Sequence, residues 1–289
     1  MNHAAIQLLC LDIDGTLLDS QHQLPERNRT AIQQAAQAHV TVCLTSARPP
    51  AAVVPILREL NIEHDMICYN GGLILHKEQT LSEQRIPVSV GVRIVQEAQR
   101  CGISVSVYRG WDWLIERDDP WSEQESAITG TVPVSVPLVE TMRQWQEGAH
   151  KLLCMGPAQQ IDAVTAVLAA QQLPVQLVRS KDTYLEILPP LAEKGVALQA
   201  MCRKLGISVR QSMAMGDHDN DCGMLRAAGL GVAMGNGSAA AKAAADVCTS
   251  TNDDAGVARA IDTWILHKEG AHELSATGIG SGRHPAQFP

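Results

Sequence analysis

Leu8-Leu9-Cys10-Leu11-Asp12-Ile13-Asp14-Gly15-Thr16 is the stretch on which the reading of this chain turns. Four consecutive apolar residues running into an acid-rich turn read as a buried strand with a sharp carboxyl end. Asp12 and Asp14 stand two apart at that end, where open α/β sheets place their ligand crevices. Two acids there can divide nucleophilic and acid/base work. The same D-x-D-G-T is also ordinary turn chemistry, since Asp and Gly both favour tight turns, so the rest of the chain has to decide.

Outward from this strand, Pro25 to Ala38 reads as a helix, with Ala31, Ile32, Ala35 and Ala36 at helical spacing, and Val40 to Leu44 as a second buried strand. Pro49 and Pro50 suit the opening turn of a further helix. Met66 to Tyr69 and Leu73 to Leu75, joined by Asn70-Gly71-Gly72, read as two strands around a tight turn. The last part repeats the alternation: a helix from Lys194 to Leu205, strand Met213 to Met215, a helix from Asp219 to Ala228, strand Leu230 to Met234, and a helix from Gly256 to His267. Alternation on this scale predicts an α/β fold, a Rossmann-like doubly wound parallel sheet covered on both faces. Gly231-x-x-x-Gly235-x-Gly237 lacks the spacing of a dinucleotide fingerprint and reads as loop punctuation.

The middle of the chain has another texture. Strand Ser104 to Tyr108 and helical pieces Val90 to Arg100 and Ile161 to Gln171 predict an inserted α+β cap domain. The expected division is residues 1–80 and 187–269 for the two halves of the core and 81–186 for the cap. Residues 270–289, rich in Gly and Ser and carrying His272 and His284, are expected to form a disordered tail. Trp111, Trp113, Trp121 and Trp145 are expected to pack within the cap rather than to meet a ligand.

Composition narrows the function classes. The chain has 289 residues, 45% hydrophobic and 19% charged, the balance of a globular protein able to bury its own core. Lys plus Arg number 23 against 31 Asp plus Glu, and the net charge of −8 repels phosphate backbones, which argues against nucleic acid as a partner. No apolar run reaches the roughly 20 residues of a membrane helix, so no membrane partner is expected. Eight dispersed cysteines with no C-x-x-C pair are expected to be reduced, mostly buried thiols of a cytoplasmic protein.

A second acid cluster, Gly216-Asp217-His218-Asp219-Asn220-Asp221, follows the strand Met213 to Met215 and falls at another carboxyl end. N-capping explains one of these acids, hardly three. Carboxylates converging on one crevice repel unless a cation sits among them, and hard oxygen ligands beside a phosphate favour Mg²⁺. Ser46 in Thr45-Ser46-Ala47-Arg48 ends the second strand; its hydroxyl suits either a phosphate oxygen or an N-cap. Lys194 falls in the first turn of a helix, where the dipole disfavours a cation, and that placement favours a functional lysine. His218 reads as a solvated loop residue. Arg109, Lys151, Arg179 and Lys181 are the cap cations that a second anionic group of a substrate could meet, although scattered surface cations are commoner.

Taken together, Asp12-Ile13-Asp14-Gly15-Thr16, Ser46-Ala47-Arg48, Glu193-Lys194-Gly195 and Gly216-Asp217 with Asn220-Asp221 resemble, in order, the four motifs of the haloacid dehalogenase superfamily. Asn70-Gly71-Gly72, Ala233-Met234-Gly235-Asn236 and Asp253-Asp254-Ala255-Gly256-Val257 add a resemblance to its Cof-like, type IIB branch, over about Leu8 to Leu266. That branch usually has Thr-Gly-Arg where this chain has Ser46-Ala47-Arg48, a change that keeps the hydroxyl and loses the backbone freedom of Gly. The resemblance implies a C2-type cap and a Mg²⁺-dependent phosphatase. It makes Asp12 the nucleophile and Asp14 the general acid/base, with Mg²⁺ on Asp12, Asp217 and the backbone carbonyl of Asp14. Ser46 and Lys194 hold the transferring group, Asp221 orients Lys194 or the metal shell, and Arg48, Asn220 and Lys181 are expected to contact substrate.

The function expected on this basis is hydrolysis of small phosphorylated metabolites, sugar phosphates first and phosphorylated cofactors second. A phosphomutase or phosphotransferase using the same aspartyl-phosphate is the alternative. A signalling protein that holds phosphate without turnover is a further one, disfavoured because it needs no cap. Carbon–halogen hydrolysis leaves Asp14 idle, since a halide departs without a proton.

Overall fold

Every residue of Leu8–Asp12 is buried, as in a strand flanked on both sides and covered on both faces. The computed structural model describes residues 5–77 and 79–267; the expected tail, with His272 and His284, lies outside the described residues. In chain order the elements are β1 (Leu8–Asp12), α1 (Glu26–Gln37), β2 (Thr41–Thr45), α2 (Pro50–Leu60), β3 (Asp65–Cys68), β4 (Leu73–His76), β5 (Gln79–Glu83) and α3 (Val88–Arg100). There follow β6 (Ser104–Arg109), β7 (Asp112–Ile115), α4 (Pro120–Thr129), β8 (Val134–Ser135), α5 (Leu138–Arg143), β9 (Lys151–Met155), α6 (Ala158–Ala170), β10 (Gln176–Lys181) and β11 (Tyr184–Leu188). The chain closes with α7 (Lys194–Leu205), β12 (Ser212–Gly216), α8 (Cys222–Ala227), β13 (Leu230–Ala233), α9 (Ala239–Ala244), β14 (Val247–Cys248) and α10 (Gly256–Trp264).

The first sheet has eight strands in the order β14-β13-β12-β1-β2-β3-β4-β5. Its first six strands run parallel, and β4 and β5 continue it antiparallel. Alternation along β1 divides the interior. Leu9 and Leu11 join one apolar cluster with Ile32 of α1, Leu57 of α2 and Ile261 of α10; Leu8 and Cys10 join another with Leu198 of α7 and Met224 of α8. The expected α/β, doubly wound parallel core is this sheet. Because β2 and β12 lie on opposite sides of β1, their carboxyl ends open onto one crevice at a reversal of strand order.

The second sheet, β10-β11-β9-β6-β7-β8, is antiparallel except for the β7–β8 pair. One face is covered by α3, α5 and α6, through Val107, Leu152 and Ile187 against Ile94, Met142 and Ile161. Its other face carries Tyr108, Trp113, Leu153, Met155 and Tyr184, which join the cluster of the first sheet. The chain passes between the sheets after Glu83 and again after Leu188.

Local differences from the expected elements have identifiable causes. The strand expected to reach Tyr69 stops at Cys68, because Tyr69, Asn70 and Gly71 take left-handed φ values of 54°, 54° and 103°. A Cβ on Gly71 would lie 2.6 Å from the Glu193 carbonyl, so both the conformation and the close approach require Gly there. The helix expected from Asp219 is broken into a single turn, Asp219–Asp221, followed by α8, where Asp221 turns its carboxylate back onto the preceding backbone. Gly231 is not loop punctuation: it lies inside β13, where a Cβ would meet the Leu225 carbonyl at 2.2 Å. Trp113 is buried with its indole N–H donating to Ser106 Oγ, but Trp111 is 48% exposed, because it falls in the turn between β6 and β7. Six of the eight cysteines are buried.

Candidate active site

Three adjacent strands deliver the first groups of the site. Asp12 ends β1, Ser46 follows β2 and Asp217 follows β12, with Asp12 in register with Thr45 and Leu11 with Met215. The turn after Asp12 is held from two directions: Thr16 Oγ1 donates to Asp217 Oδ1 at 2.9 Å, and Asn236 Nδ2 donates to the Gly15 carbonyl at 2.8 Å. Gly15 has φ of 80°, and a Cβ there would lie 2.5 Å from Asp217 Oδ2, so the close approach of the two acid motifs depends on it.

Lys194 is the pivot. It is completely buried in the first turn of α7, and its ammonium donates to Asp12 Oδ1 at 2.5 Å and to Asp221 Oδ1 at 2.6 Å. Burial alone lowers a lysine pKa, but the two carboxylates outweigh it and raise that of Lys194 above its ordinary value, so the side chain stays charged. The Glu193 carboxylate caps the start of α7 through the N–H groups of Gly195 and Val196. The helix therefore tolerates a cation in its first turn.

Asp12, Asp217 and Asp221 each offer an oxygen within 4.8 Å of the others. Burial raises the Asp12 carboxyl well above the usual range; repulsion from Asp221 and Asp217 adds to this, and Lys194 opposes it. Burial also raises Asp217, against the hydrogen bond from Thr16. One ammonium thus faces three carboxylates, an imbalance that a divalent cation would offset. Asp221 has little left to give such an ion: Oδ1 accepts from Lys194 and Oδ2 from the N–H groups of Asp217 and His218. The second oxygens of Asp12 and Asp217 lie outside these hydrogen bonds. An all-oxygen set of two carboxylates, completed by water and phosphate, suits Mg²⁺.

The remaining expected residues divide. Ser46 is buried, with Oγ accepting from the Arg48 N–H at 3.1 Å; it is not the N-cap of α2, a position held by Pro49. Ala47 is absent from the residues of left-handed φ, so Ala needs no glycine-like freedom there. Arg48 is placed on Asp14, with Nε donating to Oδ2 at 2.8 Å and Nη2 to Oδ1 at 2.6 Å. Asn220 donates from Nδ2 to Asn70 Oδ1 at 3.1 Å, and His218 is exposed. Lys181 lies apart, exposed at the end of β10 with its ammonium 4.6 Å from the centre of the Tyr184 ring. Arg179 pairs with Asp162. Lys151, by contrast, reaches from β9 to the Ala47 carbonyl at 2.9 Å.

Thr16, Asn70 and Asn236 had no assigned role in the sequence reading, and Lys151 was given a different one. Thr16 sat inside the quoted acid motif and was legible as its hydroxyl-bearing member. Asn70 and Asn236 sat inside quoted motifs too, but the donor to Asn70 and the acceptor from Asn236 lie 150 and 221 residues away. Lys151 was one cation among several in the inserted region, with nothing in its neighbours to set it apart.

Comparison with known proteins agrees with this arrangement. The model of the haloacid dehalogenase-like hydrolase family matches residues 9–261. A solved haloacid dehalogenase-like hydrolase from Bacteroides thetaiotaomicron superposes with a TM-score of 0.84 at 29% identity, over 89% of this chain and 99% of that one. A 5-amino-6-(5-phospho-D-ribitylamino)uracil phosphatase of Bacillus subtilis is 27% identical over 90% of this chain and 96% of its own length. An HMP-PP phosphatase of Cronobacter sakazakii is 30% identical over 80% of this chain and 84% of its own.

Proposed function

The chain belongs to the haloacid dehalogenase-like hydrolases, and from that premise we propose that it is a Mg²⁺-dependent phosphomonoesterase of small phosphorylated metabolites working through an aspartyl-phosphate. Sugar phosphates are the first substrate class and phosphorylated cofactors the second, in keeping with the phosphoesters that the related phosphatases are named for. The observation that carries the reading is the buried ammonium of Lys194 between Asp12 and Asp221, with Asp217 beside them.

Asp12 attacks phosphorus, the bond from phosphorus to the leaving oxygen breaks, and Asp14, which enters the step protonated and gives up one of its two Arg48 donors to do so, gives that oxygen its proton. Water then attacks the phosphorus of the aspartyl-phosphate and gives a proton back to Asp14, and the bond to Asp12 breaks to release inorganic phosphate. Lys194 and the Ser46 hydroxyl hold the oxygens of the transferring group in place. Asp221, bound to Lys194 and to two backbone N–H groups, fixes where that ammonium points. Asp12 and Asp217, with the Asp14 carbonyl, would hold the Mg²⁺, which would supply positive charge against the phosphoryl oxygens. Arg48 and Asn220 line the substrate side. Lys181 contacts substrate only if the second sheet brings it inward from its place over Tyr184. The second sheet acts as the cap; no helix among the described residues is long and apolar enough to cross a membrane.

The test is phosphate release from an aryl phosphate, with Mg²⁺ and with chelator, for the wild type and Asp12→Asn. Metal-dependent release is expected, and the variant loses at least about a thousandfold, roughly 4 kcal/mol of barrier. Activity retained within about tenfold would remove Asp12 as nucleophile. Phosphate trapped on Asp12 without release would favour phosphotransfer instead.

A further inference from the structure

Lys151 is a charged residue of the second sheet, only 4% exposed, and its ammonium has three neighbours. It donates to the Ala47 carbonyl at 2.9 Å, lies 3.4 Å from Glu186 Oε2, and stands 5.0 Å from the centre of the Tyr108 ring. A buried ammonium needs such acceptors, because an unpaired one costs several kcal/mol. The unusual member is Ala47, which lies between Ser46 and Arg48 in the turn that follows β2 of the first sheet.

The turn that Ser46, Ala47 and Arg48 form is held by two sets of bonds. From its own sheet, Ser46 N–H donates to the Ile67 carbonyl, Asn70 N–H to the Ser46 carbonyl and Tyr69 N–H to the Arg48 carbonyl. From the other sheet, the Ala47 carbonyl is held by Lys151. The next residue, Arg48, grips both oxygens of Asp14 with two donors. The rotation of the Ala47–Arg48 peptide therefore sets where the Arg48 side chain starts, and the guanidinium sets where the Asp14 carboxyl stands.

We propose that Lys151 is a positioning residue for the reaction: by holding the Ala47 carbonyl it fixes Arg48, and through Arg48 the carboxyl of Asp14, so that the acid/base group is correctly placed only when the second sheet is seated on the first. The inference rests on the reading of Asp14 as the proton donor. It gives the inserted domain a part in the proton transfer besides enclosing the substrate. Glu186 serves Lys151 as counter-charge.

The experiment compares kcat/KM for an alkyl phosphate, whose leaving group needs a proton, with kcat/KM for p-nitrophenyl phosphate, whose leaving group does not. This parameter covers only the steps through the aspartyl-phosphate, so the later hydrolysis does not obscure it. Asp14→Asn is the reference, expected to lose at least about a hundredfold on the alkyl ester and under about tenfold on the aryl ester. Lys151→Met is expected to show the same pattern at a smaller size, about tenfold or more on the alkyl ester and less than about threefold on the aryl ester. Lys151→Arg, which keeps a donor, is expected to restore part of the loss. The double variant Lys151→Met with Glu186→Gln buries no unpaired carboxylate, guards against misfolding, and should show the same selective loss.

Equal losses on both esters, or none, in the Lys151 variants while Asp14→Asn still discriminates would overturn the positioning role. An Asp14→Asn variant that treats both esters alike would overturn the reading of Asp14, and this inference with it.

Discussion

Lys194 and Lys151 are both buried lysines bound to carboxylates, and they stand in opposite charge balances. Around Lys194 one ammonium meets Asp12 and Asp221 directly and Asp217 nearby. Around Lys151 one ammonium meets one carboxylate, Glu186, and completes its shell with a neutral carbonyl and an aromatic face. A balanced buried pair is self-sufficient and ties two parts of a structure together. An unbalanced cluster with excess negative charge invites a cation, and with the cation a phosphoryl group. The difference between the two sheets is thus one of surplus charge more than of residue type.

The largest effect should come from breaking the unbalanced side. Lys194→Met leaves three carboxylates without their ammonium, and turnover of an aryl phosphate should fall by about a thousandfold, roughly 4 kcal/mol. A loss below about tenfold, measured on protein shown to be folded by circular dichroism, would mean that the cluster works without its cation.

Next in size is the junction of the sheets at His150. This ring is fully buried, stacked on Tyr69 at 5.4 Å; Nδ1 accepts from the Gly110 N–H at 2.8 Å and Nε2 faces Glu83 at 3.3 Å. Burial, with Arg85 adding and Glu83 opposing, pushes its pKa down to about 4. The unfolded chain, with an ordinary histidine near 6.5, therefore binds more protons between those values, and stability is lost as pH falls from about 6.5 towards 4. The full displacement is worth on the order of 3 kcal/mol. Urea unfolding at pH 7 and pH 4.5 should show the wild type losing more than His150→Asn does; parallel losses would place the acid sensitivity elsewhere.

Metal removal sharpens the same contrast from the first sheet. Mg²⁺ at a hundredfold excess over its Kd should stabilise the wild type by about 2.7 kcal/mol, and chelator should reverse this. Asp217→Asn should abolish most of the gain and Glu186→Gln none of it. A gain of equal size in Asp217→Asn would put the ion at another site.

The smallest effect belongs to a single neutral hydrogen bond across the junction. Tyr69→Phe removes the bond from Tyr69 Oη to the Gly110 carbonyl, 2.8 Å long, and should cost about 1 kcal/mol of stability in thermal unfolding. No change would mean that the stacked rings, and not the hydroxyl, carry that contact.

Much of the site was legible because it is written at strand ends. Asp12, Ser46 and Asp217 each follow an apolar run, and a parallel sheet with neighbouring strands brings such ends together without further information. Lys194 was legible from its odd place in a first helical turn. The placement of Arg48 on Asp14 was not, because the sequence reading sent both towards the substrate and a side-chain pairing 34 residues apart leaves no periodic trace. The left-handed run at Tyr69 and Asn70 was read as a strand end followed by a plain turn, since Asn and Gly mark a turn without revealing where it begins or which backbone carbonyl will crowd it.

The amino-acid sequence by itself determined the α/β alternation, the parallel core, the existence of an inserted region and the converging acids, because strand and helix periods and turn residues are local properties of the chain. Only the tertiary structure decided that Lys151, and not Lys181, reaches the turn after β2, and that Asp221 serves Lys194 and the backbone while Asp12 and Asp217 keep an oxygen to offer. Those outcomes depend on how one sheet sits on the other and on which hydrogen bonds are already taken. Both are set by packing between residues about 30 to 200 positions apart, as in the bonds from Lys194 to Asp221 and from Thr16 to Asp217, where no local pattern is expressed.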